Sequence, residues 1–170
     1  VVLSSAGLVE TERMRSDRNP DSLEQEIGNL GFVENIFVLN KSPKELGLEA
    51  TISFFNHDSK FAWHSPADYV DFTSGVLCAP DNYLWDEAPA EHQLRVTHLA
   101  NSKKWFQLDK ETYKAKKAAL MDESRKSVER FVGDFSEDIV YKDGFSPTTV
   151  TKFTGHLRGA IYGAPNKATD

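Results

Sequence analysis

Over Gln93–Ala100 the chain alternates, with Leu94, Val96 and His98 opposite Arg95, Thr97 and Leu99. A period of two sends successive side chains to opposite faces, so this segment predicts a strand with one buried side. Gly31–Asn40 is apolar on both pleat faces, with Phe32, Ile36 and Val38 on one and Val33, Phe37 and Leu39 on the other. That pattern predicts a central strand buried on both sides. Leu48, Ala50, Ile52 and Phe54 alternate with Glu49, Thr51 and Ser53, as a strand with one wet face should. Shorter strands are expected at Gly75–Ala79 and Asp138–Tyr141, and at Val1–Gly7, an apolar run that breaks into a turn.

The helical period is strongest over Leu108–Val132. Asp109 is placed to cap it, Tyr113, Leu120, Ser124, Val128 and Phe131 mark one stripe, and Gly133 ends it. Leu8–Arg15 reads as a shorter helix closed by Asn19-Pro20, and Ser22 with Gln25 forms a capping box for another through Asn29. Ser42-Pro43 opens a helical turn. Asp143-Gly144 reads as a turn, and Ser146-Pro147 leads into a glycine-rich segment. Together these elements predict an α+β fold, a mixed and mostly antiparallel sheet covered by one long and several short helices.

Composition narrows the function classes. The 170 residues are 39% hydrophobic and 27% charged, ordinary for a folded globular chain, and no apolar run approaches the ~20 residues of a spanning helix. A net charge of -6 argues against a nucleic-acid partner, because phosphate binding needs clustered Lys and Arg. The cluster Lys103, Lys104, Lys110, Lys114, Lys116 and Lys117 makes at most a modest cationic face, balanced by Glu111, Asp122 and Glu123. Cys78 is the sole cysteine, which excludes an internal disulfide framework and fits a reducing compartment such as the cytoplasm.

Familiar catalytic signatures are missing. The five histidines have no i, i+4 pair and no cysteine partners, so no metal site is expected. There is no Gly-x-Ser-x-Gly elbow, no Gly-x-Gly-x-x-Gly and no phosphate-binding loop. The aromatic supply is larger: eleven Phe, five Tyr and three Trp, with Phe61, Trp63, Tyr69, Phe72, Tyr83 and Trp85 set among prolines. Such residues line an apolar ligand slot or fill an ordinary core. Gly155, Gly159 and Gly163 recur every fourth residue around Tyr162, either as a turn device or as backbone approaching a flat ring. An element of this kind close to a chain end suggests that the sequence belongs to something longer.

Several segments in order resemble the flavin-dependent phytoene dehydrogenase-like oxidoreductases, the family of carotenoid desaturases, isomerases and retinol saturases. They are Val2-Leu3-Ser4-Ser5-Ala6-Gly7 leading to Glu10-Thr11, Ser42-Pro43-Lys44-Glu45-Leu46-Gly47-Leu48, and Ala88-Pro89 before Leu94-Arg95-Val96-Thr97. Tyr113 with Lys116 and Lys117, Phe145-Ser146-Pro147-Thr148-Thr149 and Gly159-Ala160-Ile161-Tyr162-Gly163 follow. The resemblance implies that residues 1–29 border a flavin domain, 30–155 form a substrate domain and 156–170 return toward the flavin. It implies FAD, held mainly by a flavin-binding domain of the same parent chain, and an apolar isoprenoid or carotenoid-like substrate. It further implies peripheral membrane contact, Gly159, Tyr162 and Gly163 nearest the flavin, and Phe54, Trp63 and Phe72 walling the substrate slot. The family's amino-terminal dinucleotide fingerprint is absent, so the segment alone is not expected to catalyse, and no catalytic residue is assigned. The competing expectation is a free-standing module that binds an apolar ligand without chemistry.

Overall fold

The computed structural model describes residues 3–17, 19, 23, 25–87 and 89–161. Its frame is a five-stranded sheet of β1 (Leu30–Leu39), β2 (Ile52–Asn56), β3 (Ser74–Cys78), β4 (His92–Asn101) and β5 (Ile139–Phe145). The strands lie in the order β2-β3-β4-β1-β5, and each of these pairings is antiparallel. With helices α1 (Leu8–Arg13), α2 (Ser102–Trp105), α3 (Lys110–Val132) and α4 (Pro147–Thr154), the architecture is α+β, as the patterning predicts.

β1 is an interior strand, running along β4 from Leu30 opposite Asn101 to Leu39 opposite His92, with β5 on its other side. Only one of its faces is sealed, which corrects the expectation of two. Val33, Asn35, Phe37 and Leu39 are buried, whereas Phe32, Ile36 and Val38 stay half-buried. The reason is coverage: the long helix α3 packs on the first face, and the short helix α4 borders only part of β1 and β5.

α3 begins where the sequence says it should. The Asp109 carboxylate accepts hydrogen bonds from the backbone N–H groups of Glu111 (3.0 Å) and Thr112 (2.9 Å), two of the donors that the first turn leaves unpartnered. Leu120, Ser124, Val128 and Val132, one turn apart, turn inward. Val128 and Val132 meet Phe37, Leu39, Leu94 and Val96, and Phe135 packs edge-on to Phe37 just past the helix. Each fully buried aliphatic side chain contributes about 1.5–3 kcal/mol, so this face holds the fold together. Phe131, expected on the buried stripe, instead stacks on the His57 ring at the helix margin.

Other differences from the sequence reading have local causes. Residues 3–7 form no strand, and Leu3 is 93% exposed. Ser4 Oγ accepts a hydrogen bond from the Ala6 N–H, the kind of side-chain bond that competes with a ladder. Val1, Val2 and Ser22 lie outside the described residues, so the start of the first run and the Ser22 capping box do too. The Ser42 turn is present, with Glu45 accepting from both the N–H and the hydroxyl of Ser42 at 2.9 Å.

In β2 the faces are reversed: Phe55 is buried and Phe54 is 82% exposed. Leu48 enters the core before the strand begins, so alternation counted from it does not carry into β2. Asp143-Gly144 is not a turn but part of β5, where Gly144 lies opposite Asn35. A Cβ on Gly144 would stand 2.8 Å from the Glu34 carbonyl oxygen, so glycine serves close backbone approach there. The stretch after Ser146 forms α4, which Gly155 caps in the left-handed conformation.

Candidate functional site

The uncovered face of the sheet is the candidate site. Strand register decides which residues line up there: Phe54 opposite Val76, Val76 opposite Thr97, Thr97 opposite Glu34, and Glu34 opposite Phe145. A groove of about 620 Å³ lies over this row, walled by Phe32, Phe54, Val76 and Leu99. Phe61 and Trp63 lean over it from the loop after β2, their rings 6.0 Å apart, together with Ile161 from the chain beyond α4. Phe61 and Trp63 are each 55% exposed, an unusual state for large aromatics unless they border a site.

A second groove, of about 1000 Å³, runs between β5 and α4. Phe32 and Ile161 border both grooves, so the two adjoin as an apolar and a second half of this face. The second half is more polar. The Tyr113 hydroxyl lies 3.0 Å from Ser146 Oγ and 3.3 Å from Thr149 Oγ1, and Lys117 pairs with Asp143 at 3.2 Å. Burial pushes the Tyr113 hydroxyl upward, but hydrogen bonds with Ser146, Thr148 and Thr149 and the charge of Lys117 outweigh it and hold its pKa below the usual phenol value.

One charged group sits in the floor of the apolar half. Glu34 is 9% exposed; its Oε1 accepts from Arg95 Nε at 2.6 Å and from Arg95 Nη2, and its Oε2 accepts from Thr97 Oγ1 at 3.2 Å. Cross-strand register makes this possible, because Thr97 is directly opposite Glu34 and Arg95 is the diagonal neighbour. The sequence reading assigns none of the three to a site. The available signal was a carboxylate inside an otherwise apolar strand, where an unpaired charge would be costly.

The residues named for a substrate slot divide. Phe54 and Trp63 come together in the apolar groove. Phe72 lies on the helix side of the sheet, near Val33, Ala100 and Trp105, with its ring 5.1 Å from His98. Of the residues named for the flavin, Gly159 is buried behind Pro147, and Tyr162 and Gly163 lie outside the described residues. Among the described residues, no group of three His, Cys, Asp or Glu side chains is placed to hold a metal ion, and no helix is long and apolar enough to cross a membrane. No protein-family model matches the chain, and a search of curated proteins returns no match.

Proposed function

We propose that the chain is the substrate-binding domain of a flavin-dependent oxidoreductase acting on an isoprenoid, carotenoid-like or other apolar unsaturated chain. The observation that carries this reading is the aromatic groove on the uncovered sheet face, with Phe54, Phe61 and Trp63 exposed along it. A long apolar chain is recognised by shape and by release of water, and such a wall provides both. FAD, when bound, supplies the hydride chemistry. Gly159 does not by itself fit a flavin: Pro147 already fills the place a Cβ would take and leaves no cradle there. In this reading another domain of the same parent chain holds FAD, and Phe54, Trp63 and their neighbours orient the substrate and exclude water. Peripheral membrane contact goes with a substrate that partitions into lipid.

The same absence of a cradle at Gly159 favours a second reading, a binding module that holds an apolar ligand without chemistry. The two share the groove and differ in the flavin. Titrating the chain with farnesene, a hydrocarbon isoprenoid, is expected to quench tryptophan fluorescence through Trp63. Phe54→Asp places a charge on the wall and should weaken that binding about tenfold or more. No quenching by farnesene or by its alcohol, farnesol, in the wild-type chain defeats both readings. A visible flavin spectrum from the protein expressed with its flanking coding sequence separates them, since only the oxidoreductase reading expects one.

A further inference from the structure

The Glu34 carboxylate in the groove floor narrows the ligand class, and this inference rests on the apolar-ligand reading above. We infer that the groove selects an apolar chain bearing a neutral hydroxyl, which donates a hydrogen bond to Oε2 of Glu34. The two carboxylate oxygens are not equivalent. Oε1 takes two donors from Arg95, whereas Oε2 takes the Thr97 hydroxyl at a longer 3.2 Å and keeps lone-pair capacity beside the groove.

Each alternative head group meets a physical objection. A plain hydrocarbon covers Glu34, strips its remaining water and offers no replacement bond, which costs free energy. A carboxylate head brings a second negative charge against the first, and the guanidinium that would offset it is already engaged by Glu34. A hydroxyl is small, uncharged and a donor. It satisfies Oε2 while the aromatic walls take the chain. Glu34 is therefore a specificity-determining residue, and Arg95 and Thr97 position it.

The test compares three isoprenoid probes of equal chain length, farnesol, farnesene and farnesoate, by quenching of tryptophan fluorescence in the 170-residue chain. Farnesol is expected to bind about tenfold tighter than either of the others, the difference one hydrogen bond to a charged acceptor makes. Glu34→Gln should shrink the advantage over farnesoate to about threefold or less. Thr97→Val, which frees Oε2 and keeps the side-chain shape, should retain the farnesol preference and so guards against a Glu34 variant that fails to fold. Equal binding of farnesol and farnesene overturns the hydroxyl inference and leaves the groove reading standing. Tightest binding of farnesoate overturns it in favour of Arg95 as the reader, and binding of none of the three removes the groove reading as well.

Discussion

Gly159→Ala is expected to destabilise the fold by about 3 kcal/mol or more, the size of effect that backbone strain and overpacking produce together. Gly159 has φ 58°, the left-handed region where a side chain is strained. An added methyl would press into the carbonyl oxygen of Pro147 and stand 2.6 Å from its Cα, and Pro147 is itself fully buried at the start of α4. Neither side has room to yield. Urea unfolding measures the change as a shift of the midpoint at constant slope. An unmoved midpoint would show that the close approach to Pro147 is not what this glycine is for, and would return it to the candidates for contact with a planar ring.

Acid should weaken the fold through His98. Its imidazole is buried between the sheet and α3, with rings of Phe55 and Phe72 against it. Nδ1–H donates to the Ser74 carbonyl at 2.8 Å, so Nε2 is left to accept from Ser124 Oγ at 3.0 Å. Burial lowers its pKa from 6.5 to about 4, against the opposing pull of the Ser74 carbonyl and of Asp71; His57 adds a smaller lowering. The sign follows from proton uptake. As pH falls through 6.5 the unfolded chain binds a proton that the folded chain refuses until about pH 4, so stability is full above the upper value and drains away between the two. The loss is on the order of 3 kcal/mol, from 1.36 kcal/mol for each pKa unit. Denaturation midpoints measured across that range should fall in the wild type and flatten in His98→Gln. A wild-type midpoint that holds steady from neutral pH to pH 4.5 would contradict the buried neutral imidazole.

Local signals explain what was legible in the chain. β4 was readable because Leu94, Val96 and His98 alternate without interruption, and α3 because Asp109 and Gly133 bracket a long periodic stretch. The Asp143-Gly144 dipeptide misled because it marks a hairpin only when the flanking strands pair with each other, and here both flanks belong to β5 beside β1. Phe54 was assigned to the wrong face of its strand, since parity depends on where a strand starts. Glu34 was readable only as a carboxylate inside an apolar strand, and its partners were not. Its partners come from a strand some sixty residues away (separations of 61 and 63), and only tertiary register sets Arg95 and Thr97 beside it.

The strand order also bears on how the molecule is made. β1 lies inside the sheet, but both its neighbours, β4 and β5, come later in the chain, with Asn40–Glu91 intervening before the first of them. At about 5–20 residues added per second, the Phe37 and Leu39 side of β1 waits several seconds on the ribosome without the strand it will pair with. Local hairpins such as β2–β3 can close meanwhile, while the central ladder must wait for a long loop to shut. Translation thus exposes the greasiest strand first, and a holding chaperone would find its binding site there before the strand's own ladder has formed.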